Sequence, residues 1–154
     1  MRVTGKNSLS NIVKIILQIV LILGIIIIIF LPFLVNLYNK VFHINLTGFE
    51  YYGYITLLYC ASIPAIILVY KFIKMFDTLK NNNPFIKENA KNLNIAAICC
   101  GVISFEFFVG MFILNSVFMI IVTGIFLVGA IGLYILAELF KQAVAYKEEN
   151  DLTI

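Results

Sequence analysis

The residues able to do chemistry are few. Apart from the charged groups at the ends of apolar runs there is one acid deep inside such a run, Glu106, one histidine, His43, and three cysteines, Cys60, Cys99 and Cys100. A haem or zinc site needs several convergent His or Cys ligands, and one histidine in a polar connector cannot supply them. Adjacent Cys99 and Cys100 point about 100° apart on a helix, and Cys60 sits at a different depth, so the three read as small buried hydrophobes rather than a disulfide. No nucleophile stands beside a base, which excludes an intramembrane enzyme. No cofactor and no metal are expected.

Glu106 is the exception. It is flanked by Phe105, Phe107 and Phe108, and an ionised carboxylate among such neighbours costs several kcal/mol, ~3 or more at mid-membrane. A carboxyl there faces other helices and is expected to be protonated, donating to Tyr59, Ser62 or Thr123, which lie at similar depth by residue counting. Two roles fit that bond: an interhelical contact that fixes packing, or a proton- or ligand-responsive switch.

The elements that hold these groups follow from composition. Of 154 residues, 62% are hydrophobic and 12% charged, and the mean hydropathy is +1.04. An average soluble domain carries about 25% charged residues, so lipid solvates most of this chain. Between Lys14 and Asn36 the only polar side chain is Gln18, and Ile25 to Ile29 is apolar at every angle. A core of ~30 Å takes about 20 helical residues, and only a helix satisfies its backbone there. Phe30-Leu31-Pro32-Phe33 follows where a cleaved signal would carry small residues, so the first span is an uncleaved anchor. Tyr51 to Tyr70 forms a second run, bounded by interfacial tyrosines and bearing Pro64, where a kink is expected. Residues 92 to 137 hold one charge, Glu106, and are too long for one span. They fold back at Asn115-Ser116. Glycines 124, 129 and 132 offer a small-residue surface on the fourth span, and Gly101 and Gly110 one on the third.

The expected fold is an all-α membrane protein, a single domain over 1–154 with four transmembrane helices in a bundle. The spans lie near 13–36, 52–74, 93–114 and 117–139. Ten of the eleven basic residues fall on one side, all but Lys40, so the positive-inside rule makes both termini and the loop at 75–92 cytoplasmic. The net charge of +3 therefore reflects topology, and direct nucleic-acid binding is not expected. Residues 71–80 alternate apolar and basic at helical spacing, as in a lipid-skimming extension. Pro84 restarts a helix with Asn83 as its cap. Glu138 and Lys141 are spaced for an intrahelical pair. The tail at 142–154 turns acidic after a basic interface, as disordered tails do, but ends apolar on Leu152-Thr153-Ile154, which invites docking. Asn45-Leu46-Thr47 matches a glycosylation acceptor, without meaning in a bacterium.

Three motifs carry a resemblance. Asn83-Pro84-Phe85 with Glu88-Asn89-Ala90 and Leu93, then Leu136-Ala137-Glu138-Leu139-Phe140, then Glu148-Glu149-Asn150-Asp151-Leu152-Thr153-Ile154 together resemble an uncharacterised bacterial family of four-helix membrane proteins, domain of unknown function 2975. The resemblance covers essentially the whole chain. Lysines and Phe140-Lys141 stand where the family has arginines and a Phe-Arg pair, which keeps charge and loses bidentate geometry. Members are commonly encoded beside a small Cro/C1-type helix-turn-helix regulator. The resemblance thus implies a regulatory protein of the bacterial cytoplasmic membrane that docks such a partner on Asn83, Pro84, Phe85, Asn89, Glu138, Glu149, Asn150, Leu152 and Thr153. A homo-oligomer is compatible with it. The alternative is a small transporter, channel subunit or immunity-type protein, built around Glu106.

Overall fold

The computed structural model describes residues 9–43, 46–80, 84–114 and 116–151. They form five helices and no strand: α1 (Leu9–Ile29), α2 (Leu31–Phe42), α3 (Gly48–Lys80), α4 (Lys87–Leu114) and α5 (Phe118–Asp151). Four of them, all but α2, are long and apolar enough to cross a membrane.

The first span differs from expectation. Instead of one helix over 13–36, the chain leaves helical geometry at Phe30 (φ −91°, ψ 8°) and restarts at Leu31 with Pro32 in the first turn. Proline has no N–H to offer the carbonyl four residues back, so one rung is lost. The neighbouring rungs survive, Phe30 N–H to Ile26 O at 3.1 Å and Leu34 N–H to Phe30 O at 3.0 Å, so the interruption is confined to one residue. The connector expected between the first two spans, residues 36–50, is thus helical over 36–42, as the end of α2, and over 48–50, as the start of α3. Leu31 and Val35, one turn apart, are buried, and Tyr38 and Phe42 continue the same stripe along the helix, their tilted rings 4.9 Å apart. His43 ends α2 in the left-handed region (φ 51°), the conformation that closes many helices.

Thr47 and Glu50 open α3 as a reciprocal cap. The Thr47 N–H and hydroxyl both donate to Glu50 Oε2 at 2.9 Å, and the Glu50 N–H donates to Thr47 Oγ1 at 3.4 Å. Two orphan donors of the first turn are satisfied in this way. The helix then runs unbroken past buried Pro64 to Lys80. At 33 residues it is about 50 Å long, so its last turns project beyond a hydrocarbon core. One face of these turns packs on protein: Ile73 is buried, Asp77 pairs with Lys14 of α1 at 2.5 Å, and Thr78 contacts α4.

The helices pack in chain order. Backbone contact is most extensive between α4 and α5, then between α3 and α4, then between α1 and α3, and among the described residues α1 touches neither α4 nor α5. The buried core follows α4: Ala90, Leu93, Ala96, Ala97, Cys99, Cys100, Ile103 and Leu114, with Ala137 and Val144 from α5. Small side chains dominate it because dispersion between close backbones, rather than escape from water, holds helices together in lipid. The expected glycine surface on the fourth span is not used that way. A Cβ on Gly124 or Gly132 would meet nothing within 4 Å, and one on Gly129 would meet only Cys100 Sγ at 3.9 Å. Gly101 is equally open. Close approach occurs instead at Gly110, against Leu57 and Met119, and at Gly53, against Leu114.

Candidate functional site

Helix alternation brings the end of α3, the start of α4 and the end of α5 to one end of the molecule, together with Lys14 of α1. Of the expected loop of 75–92, residues 75–80 belong to α3 and 87–92 to α4, and the expected tail of 142–154 is helical through Asp151. Asn89 joins these parts. It is 1% exposed, and its amide nitrogen donates to Thr78 Oγ1 at 2.6 Å and to the Pro84 carbonyl at 2.7 Å. Thr78 in turn donates to Met75 O at 2.7 Å. One side chain therefore fixes the end of α3 and the approach to α4, where the Asn89 N–H closes the first turn on Ile86 O at 3.0 Å. This buried bonding also shows that Asn89 shapes the surface from beneath it.

The same approach segment reaches α5. Phe85, 45% exposed, lies 5.5 Å from the Phe140 ring, and Lys87 Nζ pairs with Glu148 Oε1 at 2.9 Å. Glu138 accepts from Lys141 at 2.5 Å, three residues along α5. Pro84 and Glu138 are half-buried, whereas Glu149 and Asn150 are exposed. Asn83, Leu152 and Thr153 lie outside the described residues, as do Asn45 and Asn115. Between α4 and α5 the pairing leaves a cleft of about 350 Å³ whose walls include Lys87, Lys91, Asn94, Lys141 and Glu148. Residue counting did not reveal this cleft. Its signal was the helical register Lys87, Lys91, Asn94 on α4 opposite Lys141 and Glu148 on α5, legible only once the two helices are known to face each other.

The second place is an apolar groove of about 620 Å³ between α3 and α4, lined by Tyr52, Gly53, Thr56, Cys60, Phe105 and Glu106 among others. The hydrogen bond expected of Glu106 is not made: its Oε2 is buried and without a partner. Ser62 Oγ donates to Tyr59 O at 2.6 Å along its own helix. The Thr123 carbonyl accepts from Ser104 Oγ at 3.0 Å, while the Thr123 hydroxyl is itself unpartnered. Tyr59, Ser62 and Thr123 do not line the groove. Thr56 and Cys60 do: Cys60 stands within two residues of Tyr59 and Ser62, at the depth that counting assigned, but on a different face of the helix, and Thr56 stands one turn from Tyr59. Cys60 is exposed, whereas Cys99 and Cys100 are buried, and all three thiols are free.

A protein-family model described as "Protein of unknown function (DUF2975)" matches residues 20–154. No curated protein and no solved structure matches the chain.

Proposed function

The chain belongs to the DUF2975 family of proteins of unknown function, and we propose that it is a non-enzymatic regulatory protein of the bacterial cytoplasmic membrane, acting through a cytoplasmic partner. The partner class that fits is a small helix-turn-helix transcription regulator. One observation carries this reading. The Lys87–Glu148 pair at 2.9 Å and the Phe85–Phe140 contact at 5.5 Å make the start of α4 and the end of α5 a single surface, with an exposed aromatic ring beside basic and acidic groups. Exposed aromatic side chains ringed by charge are the usual anchors of protein interfaces. Because that surface is the continuation of the best-packed helix pair, a change in how α4 meets α5 within the bilayer alters it directly.

Co-purification in mild detergent tests the proposal, with the full chain compared against a chain ending at residue 146. A helix-turn-helix protein recovered with the full chain and lost with the shortened one supports it. Recovery of no companion with either chain overturns it. The groove at Glu106 favours a second reading, a small transporter, channel subunit or immunity-type protein, in which several copies would build the path across the bilayer. Glu106→Gln decides that reading: proteoliposome flux that is unchanged by the substitution removes the carboxyl from any transport step.

A further inference from the structure

We propose that the cleft between the start of α4 and the end of α5 binds a phosphate group, that of an anionic phospholipid headgroup in the leaflet at the lysine-rich end, and that Glu148 is its internal competitor. The proposal stands on the cleft itself and does not depend on the partner reading.

Charge comes first. The walls carry three ammonium groups, Lys87, Lys91 and Lys141, against one carboxylate, Glu148. Lys87 is engaged by Glu148 and Lys141 by Glu138, which lies off the cleft wall, while Lys91 enters no ion pair among the described residues. The Lys87–Glu148 pair is open to solvent, with 77% and 54% of the two side chains exposed. A pair so exposed is held weakly, so a doubly hydrogen-bonding phosphodiester can replace the carboxylate on Lys87 and gain Lys91 and Lys141 as well. α4 begins at Lys87, and the positive end of its backbone dipole adds to the attraction.

Depth comes second. Lys141 directly follows Phe118–Phe140 of α5, a stretch whose only charge is Glu138. That stretch is about 34 Å long as helix, close to the ~30 Å hydrocarbon core. Lys91 stands two residues before the apolar run that begins at Leu93. Both lysines therefore reach the headgroup layer, where basic pockets between helices recognise anionic lipids. Room comes third: about 350 Å³ falls within the range of small-ligand sites, roughly 300–1,000 Å³. Asn94 offers an amide to a headgroup hydroxyl or phosphate oxygen on the α4 side.

The experiment uses the full chain in nanodiscs of equal phosphatidylcholine and phosphatidylglycerol, with retained lipid counted by native mass spectrometry. The wild-type chain is expected to retain phosphatidylglycerol over phosphatidylcholine. Lys91→Gln is expected to weaken that preference about fivefold, the equivalent of ~1 kcal/mol for one lysine at an anionic surface. Replacing Lys87, Lys91 and Lys141 together by Gln should abolish it, Glu148→Gln should strengthen it, and Lys71→Gln should leave it unchanged. Should the triple variant not fold, Lys91→Gln and Glu148→Gln still decide, because both side chains are exposed. An absent preference, or an equal loss in Lys71→Gln, overturns the proposal. A separate titration of inorganic phosphate into phosphatidylcholine nanodiscs distinguishes the source. Phosphate binding with the same lysine dependence, and no selection of phosphatidylglycerol, would make the ligand a soluble phosphate and overturn the lipid assignment.

Discussion

Helices α1 and α4 are both long enough to span a bilayer, yet they stand at opposite extremes of burial. None of the most apolar window of α1 is buried in protein, against 39% of that of α4. The run Ile25-Ile26-Ile27-Ile28-Ile29 is the greasiest stretch of the chain, and Ile25, Ile26, Ile27 and Ile29 are all exposed. On α4 the buried positions are Asn89, Ala90, Asn92, Ala96, Ala97, Cys99, Cys100, Ser104 and Gly110, with the larger Leu93, Ile103 and Leu114. In water this would be inverted. In lipid a bulky aliphatic side chain is as well solvated by acyl chains as by protein, so it gains nothing from burial, whereas small residues let backbones close, and the Asn89 amide and Ser104 hydroxyl reach partners on neighbouring helices. Hydrophobicity therefore marks where lipid is, and its local relaxation marks where protein is.

The sharpest way to break that contrast is to add bulk to a glycine on each helix. A Cβ on Gly110 of α4 overlaps the Leu57 Cδ1 methyl and lies 3.1 Å from Met119 Sδ, while one on Gly24 of α1 meets nothing within 4 Å. Gly110→Val is expected to cost about 3 kcal/mol, the upper range for overpacking, and Gly24→Val less than about 0.5 kcal/mol. Unfolding in mixed detergent–SDS micelles measures both. Equal losses would mean that α1 is packed in a way its exposure denies.

A smaller effect probes the polar end of α4. Asn89→Ala deletes the donors to Thr78 Oγ1 and Pro84 O, leaving two acceptors to find new partners at a cost of about 2 kcal/mol. The loss should be local. Protease cleavage between α3 and α4 is expected to accelerate while the apolar part of α4 stays protected, and hydrogen exchange resolves the two. Uniform loss of protection along α4 would show that the loop and the span form one cooperative unit.

Much of the architecture was legible because its causes act over a few residues. Apolar runs bounded by Lys14, Lys71, Lys91 and Lys141 reveal spans, since the cost of a mid-membrane charge is paid one side chain at a time. The break at Phe30 was missed although Pro32 announces it, because a proline near a helix start is compatible with either a continuous bent helix or a new one. The cap formed by Thr47 and Glu50 was also written in the chain, as a Thr-x-x-Glu spacing ahead of an apolar run. The site was less legible. Asn89 looks like a surface residue in a polar segment, Lys87-Glu88-Asn89-Ala90-Lys91, and only the arrival of Thr78 and Pro84 from outside that segment buries it. Glu106 was visible as an anomaly, but its surroundings depend on helix tilt and rotation, which no local spacing encodes.

The smallest expected effect returns to α1. Among the described residues its only ion pair is Lys14 with Asp77 of α3, at 2.5 Å with 20% and 47% of the side chains exposed. Lys14→Ala is expected to cost about 0.5 kcal/mol, in the range of partly exposed pairs, and most of that loss should vanish in 1 M salt, where the screening length is ~3 Å. Yet the pair matters more for register than for energy. Beyond Lys14 the helix carries mostly apolar side chains, whose contacts lipid can replace at little cost, so they resist sliding and rotation less than an ion pair at one level does. Crosslinking through cysteines placed at Leu17 and along α3 should therefore give one dominant product in the wild-type background and several in Lys14→Ala. A single product in both would transfer the register of α1 to its α2 continuation, where buried Leu31 and Val35 are the remaining points of purchase.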